Sequence, residues 1–266
     1  MGKAELVDVT PEQLEAEIDR VSKSGETHLA IVSGPVTSYP TDFCPEGFEG
    51  RKVFCLHGNP TFFSRLSECP SLTHLVLSRL QLTDADVDRF ISKLTGLISL
   101  NIENCQLSTV GARAISANLE HLSSLSIAGN NIGDAGAAAI AGSLSKLISL
   151  DIHDCRIGRT GARAIAAELS QLTSLWIWGN RIGIAGAEAI ALRLNGLTSL
   201  NIANNRIGSA GATAIAANLK QLTTLRIWGN QIGDVGAQAI ASGLNGLTTL
   251  NIGHNQIGSG GYGSCN

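Results

Sequence analysis

Asp151, His153 and Asp154 place three titratable side chains within four residues, a spacing that suits an acid–base pair or one arm of a metal site. A metal needs three or four convergent ligands. The equivalent residues 25 positions before and after that trio are Ser126 and Ala128, then Trp176 and Trp178, and none of them completes the set. Cys44, Cys55, Cys69, Cys105, Cys155 and Cys265 contain no CxxC pair, so zinc held by close thiol pairs is not expected. A cysteine nucleophile requires a partnered base, and Cys155 is expected to point inward. No G-x-x-x-x-G-K-[ST] phosphate loop occurs, and Gly133, Gly158 and Gly183 read instead as turn glycines recurring every 25 residues. Neither a metal nor a cofactor is expected, and the chain reads as a non-enzyme. What remains is recognition chemistry. Trp176, Trp178 and Trp228 are all the tryptophans of the chain, and Arg226 and Arg181 lie close to them in the pattern below. Trp and Arg are enriched at binding hot spots, where a buried anchor is worth about 2 kcal/mol or more.

The elements that must carry these residues repeat. The stretches Leu72-Thr73-His74-Leu75, Leu97-Ile98-Ser99-Leu100 and Leu122-Ser123-Ser124-Leu125 recur every 25 residues through Leu247. The unit reads L-x-x-L-x-I-x-x-N-x-I-G-x-x-G-A-x-A-I-A-x-x-L-x-x, complete seven times over residues 72–246. Internal repetition at such a period marks a stacked architecture in which each unit buries its apolar face against its neighbours. In Leu175-Trp176-Ile177-Trp178 the aliphatic residues alternate, which predicts a short strand. Asn180 then turns the chain, its amide able to satisfy backbone groups of adjacent units. Asn130, Asn205, Asn230 and Asn255 share its place, Cys105 and Cys155 substitute as structural thiols, and Leu80 marks the first unit as atypical. Gly183 and Gly186 are expected to bracket the turn into a helix whose Ala187, Ile190, Ala191 and Leu194 form one apolar face.

The repeat resembles the leucine-rich repeat family, whose signature is L-x-x-L-x-L-x-x-N/C-x-L, over about residues 72–258. Its Gly-Ala-x-Ala-Ile-Ala half looks like the helical subtype typified by ribonuclease inhibitor, at a shorter period, and the near-identical Ala/Gly-rich units look like bacterial type III effector repeats. The resemblance implies an α/β, right-handed solenoid with parallel strands on the concave face and helices on the convex face. Residues 1–71 are expected to form an N-terminal cap. Thr10, Pro11 and Gln13 form a capping box opening a helix to about Ser22. Leu29-Ala30-Ile31 and Phe54-Cys55-Leu56, with Asn59, read as two degenerate units, and the Pro35–Pro45 loop replaces one helix. Residues 247–266 read as a truncated eighth unit with a tail from Ser259. Leu247, Leu250, Ile252 and Ile257 would then face an open end available for self-association, unless the tail folds over it.

Residues 5 and 7 of each unit are expected to leave the sheet away from the helices, with residue 8 at the rim. Residue 5 runs Val76, Asn101, Ser126, Asp151, Trp176, Asn201, Arg226, Asn251, and residue 7 runs Ser78, Glu103, Ala128, His153, Trp178, Ala203, Trp228, Gly253. The tryptophans thus share one face, with Asp151, His153 and Asp154 on one side and Arg226 on the other. Arg156, Arg181 and Arg206 form a basic rim at residue 10. Exposed indoles could simply stack to stiffen the sheet, and the rim could be a solvated turn. An aromatic centre among mixed charges is, however, the anatomy of a protein-binding site.

The expected function is binding of a partner protein. The resemblance implies a bacterial effector with a role in virulence, acting on a host protein. One alternative is the target-recognition part of a larger effector enzyme, a ubiquitin ligase or nucleotidyl transferase. Another is a GTPase regulator using Asn101, Glu103 and Asn104 at one rim. An F-box is not evident in Pro11–Ser22. With 266 residues, 44% hydrophobic and only 15% charged, the chain is neither disordered nor short of core. A net charge of −3 gives no basic footprint for nucleic acid. No run of 18 apolar residues predicts membrane insertion and no secretory leader is apparent, so the location is expected to be cytoplasmic, or a host cell reached without such a leader.

Overall fold

The computed structural model describes residues 4–34, 51–56 and 63–258. The Pro35–Pro45 loop, Asn59, the tail from Ser259, and the residues Cys44, His57 and Cys265 lie outside them. The chain divides into two compact units, Met1–Asn131 and Ile132–Asn266.

The first unit contains β1 (Glu5–Val9), α1 (Pro11–Ser24), β2 (His28–Ser33), β3 (Lys52–Leu56), α2 (Phe63–Leu66), β4 (His74–Ser78), α3 (Asp84–Arg89), β5 (Ser99–Asn101), α4 (Thr109–Asn118) and β6 (Ser124–Ser126). The capping box of α1 is formed: Thr10 Oγ1 accepts from the Gln13 N–H at 3.3 Å, and Gln13 Oε1 accepts from the Thr10 N–H at 2.8 Å. The helix runs past Ser22 to Ser24, where Gly25 ends it in the left-handed region. Leu14, Ile18 and Val21 bury one stripe, at i, i+4 and i+7.

The strands of this unit are parallel, in the order β1-β3-β2-β4-β5-β6. Two features of this region lie outside the repeat pattern: β1 has no counterpart in it, and β3 lies between β1 and β2, which leaves β2 beside β4. The register explains the order. His28-Leu29-Ala30-Ile31 on β2 pairs with His74-Leu75-Val76-Leu77 on β4, like against like, and the two imidazoles stack at 4.1 Å. β3 is left to pair with the other edge of β2 and with β1.

The second unit alternates α5 (Gly133–Ser143), β7 (Ser149–Asp151), α6 (Arg159–Glu168), β8 (Ser174–Trp176), α7 (Gly183–Arg193), β9 (Ser199–Asn201), α8 (Gly208–Asn218), β10 (Thr224–Arg226), α9 (Gly233–Gly243) and β11 (Thr249–Asn251). Its strands pair in parallel, each 25 residues out of step with the next: Leu150 with Leu175, Leu175 with Leu200, Leu200 with Leu225, Leu225 with Leu250. This is the alternating solenoid architecture that the repeat implied. Leu175, Ile177, Ala187, Ile190, Ala191 and Leu194 are fully buried, as their spacing required. Leu250 and Ile257 are each 45% exposed.

The asparagine ladder is present. Asn180 Oδ1 accepts from the N–H groups of Cys155 (3.1 Å) and Ile157 (2.8 Å), and its Nδ2 donates to Ile152 and Ile177 (both 3.0 Å). One side chain thereby satisfies backbone groups of two turns that would otherwise be buried unpaired. Cys105 and Cys155 are buried at the same place. Burial pushes the Cys105 thiol up to about 12, so it stays protonated, and it donates to the Leu77 carbonyl at 2.9 Å.

Gly186 does not bracket a turn. It sits inside α7, where a Cβ would lie 2.7 Å from the Cβ of Ile182 and 3.1 Å from that of Ala162 on the neighbouring helix. The glycine lets helices approach closely enough for a 25-residue unit. Gly158 also departs from expectation: it is the extended N-cap of α6 (φ −101°), held by Asp134 Oδ1, which accepts from the N–H groups of Gly158 (2.7 Å) and Gly161 (3.0 Å). Asp84 does the same for Ser108 and Gly111, both at 2.9 Å.

Candidate binding face

Along the strands of the second unit, the residues between the buried aliphatics face away from the core. Asp151, Trp176, Asn201, Arg226 and Asn251 stand in register on adjacent strands. Just beyond the strand ends come His153, Trp178, Ala203, Trp228 and Gly253. The ladder continues through them, because the Asp154 N–H donates to Trp178 O at 3.0 Å and the Gly179 N–H to Ala203 O at 3.0 Å.

The ring system is held by its neighbours. The His153 imidazole stacks on the Trp178 indole at 4.1 Å and 13°, and its Nδ1 lies 2.7 Å from Asp151 Oδ1. The carboxylate therefore fixes an imidazole that in turn fixes an indole. Arg226 reaches across the row to place its guanidinium 5.9 Å from the Trp176 ring, within cation–π range. Trp228 meets His254 at a tilt, at 5.6 Å and 54°. Trp176 and Trp228 are 39% and 38% exposed, and Trp178 is half-buried beneath the imidazole.

Two of the predicted residues lie at the rim. Asp154 and Arg181 line a separate groove of about 500 Å³ at the rim, together with Arg156 and Gly179. The Asp154 carboxylate lies over Gly179, where any Cβ would collide with it, and burial raises its pKa above the usual carboxylate value. The rim groove is polar and charged, whereas the indoles enclose a smaller hollow of about 250 Å³ floored by Ala203.

The expectation that residues 5 and 7 are uniformly exposed needs correction. Ala128, Ala203 and Ser78 are only 0%, 5% and 8% exposed. In the first unit Val76 joins a buried apolar cluster with Ala30, Val32, Val53 and Cys55.

His254, Asn204 and the Asn201/Asn251 pair were not singled out from the sequence. The missed signal is a doubling of the period to 50 residues. Residue 5 is Asn101, Asp151, Asn201 and Asn251 in every second unit. Each Oδ1 accepts from the backbone N–H two residues on, at Glu103 (3.1 Å), His153 (3.3 Å), Ala203 (3.4 Å) and Gly253 (3.5 Å). Residue 8 alternates with it: Asn104, Asp154 and Asn204 each overlie the glycine of the next unit, Gly129, Gly179 and Gly229.

Among the described residues no group of three or more His, Cys, Asp or Glu could hold a metal ion, and no helix is long and apolar enough to cross a membrane.

A leucine-rich repeat family model matches residues 118–141, 143–166, 195–216, 219–241 and 245–261. No curated protein sequence matches the chain significantly. Among solved structures, an internalin (inlF) of Listeria monocytogenes superposes with a TM-score of 0.60 at 28% identity, over 77% of this chain and 56% of that one. The chain thus spans little more than half that internalin's length. Internalin C2 of the same organism gives 0.50 at 27% identity, over 66% of this chain and 76% of its own. PEPR1-AtPEP1 gives 0.56 over 96% of this chain and 34% of that one, at 17% identity, a likeness of fold alone. The 25-residue units, their buried Leu and Ile pattern and the family match together establish that this chain carries leucine-rich repeats.

Proposed function

We propose that the chain is a protein-binding module that docks its partner on the face carrying Trp176, Trp178 and Trp228. Asp151, His153 and Arg226 hold the rings, and Asp154 and Arg181 border the contact at the rim. Leucine-rich repeat proteins typically mediate protein–protein interaction, and repeat solenoids present extended surfaces for it. The observation that carries the assignment to this face is that every tryptophan of the chain lies there, with two of them more than a third exposed although the core needs none. The similarity to two internalins of a bacterium supports a bacterial origin. The partner in this reading is a host protein, and the chain an effector directed at it.

The competing surface is helical. Leu192, 64% exposed, lies beside Arg163 and Arg193 along α6 and α7. Affinity capture with the wild type, a Trp176→Ala/Trp178→Ala double variant and a Leu192→Asp variant separates the two. Capture lost only in the tryptophan variant, with melting unchanged, supports the reading. Capture lost only in Leu192→Asp would move the site to the helices.

A further inference from the structure

The column of residues just past the strands in the second unit reads His153, Trp178, Ala203, Trp228, each one turn from the next. His153 and Trp178 show what neighbouring rings do there: they stack nearly parallel at 4.1 Å. At Ala203 the column lacks a ring. The alanine is almost fully buried at the floor, and the hollow of about 250 Å³ above it is walled by Trp178 on one side and Trp228 on the other. Both walls are backed, Trp178 by His153 and Trp228 by His254, so neither indole can fold across the gap without losing its own contact.

The dimensions and the rim select the occupant. Two steps between adjacent strands span about 9.6 Å. Half the thickness of each wall removes about 3.7 Å of that. About 6 Å remains, enough for one flat ring with slack for the tilted Trp228, and too little for two. Around the mouth stand Asn201, Asn251 and Arg226. The Oδ1 atoms of both asparagines accept from backbone N–H groups, which leaves their Nδ2 groups as donors toward a ligand. With the guanidinium of Arg226, the rim offers donors and positive charge. That disfavours an arginine or lysine side chain and favours a ring with an oxygen at its edge.

Resting on the docking reading above, we infer that this hollow is a socket for one tyrosine side chain of the partner protein. Its ring would complete the missing rung between Trp178 and Trp228, and its phenol oxygen would face Asn201, Asn251 and Arg226.

The test needs no partner. N-acetyl-tyrosinamide is titrated into the whole chain while the three indole N–H resonances are followed by nuclear magnetic resonance, assigned by single Trp→Phe variants. Saturable shifts at Trp178 and Trp228 are expected, and Ala203→Phe, which supplies the rung from within, should weaken binding about tenfold or more. Trp228→Ala removes a wall and should do the same, which keeps the test decisive if the larger side chain at 203 disturbs folding. An equal response to N-acetyl-argininamide or methyl glucoside overturns the assignment to tyrosine, as does a tyrosinamide shift that survives both variants. If tyrosinamide fails while the Trp176→Ala/Trp178→Ala variant still abolishes capture, the socket falls and the docking face stands. If tyrosinamide binds while that double variant captures normally, the docking face falls.

Discussion

The outer face of β1 to β4 in the first unit and that of β7 to β11 in the second are built on the same strand alternation and end in opposite states. In the first, Val53, Ala30, Val32 and Val76 come from β3, β2 and β4, with Leu6 of β1 packed against them, and the four are at most 5% exposed. In the second, the same faces of β7 to β11 carry Asp151, Trp176, Asn201, Arg226 and Asn251, of which none is fully buried. Stacking requires only the inner row of Leu and Ile. The outer row is free to differ, and aliphatic residues there become a second core while indoles and amides stay in contact with water. Exposure of the tryptophans is therefore not imposed by the repeat, since the same scaffold covers its outer face elsewhere.

The largest effect that can break this contrast is a charge on each outer face. Val32→Asp places a carboxylate in the first unit where the side chain is fully buried. It should cost about 4 kcal/mol or more, the penalty of an unpaired buried charge. Trp176→Asp in the second unit should cost about 1 kcal/mol or less, because the site is already in water. Urea denaturation of both variants measures the difference, and equal losses would mean that the outer faces are alike. Next in size is the ladder they share. Asn205→Ala removes an Nδ2 donor from the carbonyls of Ile177, Ile202 and Ala203, at 2.8, 3.2 and 3.0 Å; Ile177 keeps Asn180 Nδ2 and Ala203 keeps the Gly179 N–H, so the cost should be about 2 kcal/mol. Cys105→Ala at the same place in the first unit loses a weaker donor and a small volume, about 1.5 kcal/mol.

What was readable in the sequence follows from the same distinction. The inner row has one period and one requirement, so the strands, the helical faces and the asparagine ladder of the repeats could be placed from Leu, Ile and Asn alone. The tryptophan face followed from the period-2 alternation of Leu175-Trp176-Ile177-Trp178. The outer row obeys a 50-residue period set by side-chain oxygens that accept from backbone N–H groups, such as those of Asn101 and Asn201, and comparing every unit with every other averages it away. The order of β2 and β3 depends on a match between His28–Ile31 and His74–Leu77, 46 residues apart, which no local pattern reports. Gly186 looked like punctuation because glycine serves turns and close helix approach equally well.

Binding should be the next sharpest contrast. Trp178→Ala removes one wall of the indole hollow and should weaken partner binding by about 2 kcal/mol, roughly 30-fold, with a thermal melt displaced by only a few degrees. A full loss of cooperative melting would instead place Trp178 in the core, against its half-exposed state.

The smallest effect is a pH dependence confined to the first unit. His28 and His74 stack at 4.1 Å and 6°, each with its Nδ1 bonded to the preceding threonine hydroxyl, at 2.8 and 2.9 Å. Burial, then His74 and Arg51, pull the His28 pKa from 6.5 down to about 4, against a small opposing pull from Glu26. Burial and Arg51 lower His74 as well. A histidine whose folded pKa is depressed binds fewer protons folded than unfolded, so between the two values stability rises with pH. The contribution is complete above about 6.5 and is lost as the pH falls toward 4. Denaturation midpoints of the wild type against His28→Gln over that range should converge as the pH drops, because the variant has no imidazole to protonate there. Curves that stay parallel would show that the stacked pair does not feel its surroundings, and the contrast between the two outer faces would then rest on the aliphatic cluster alone.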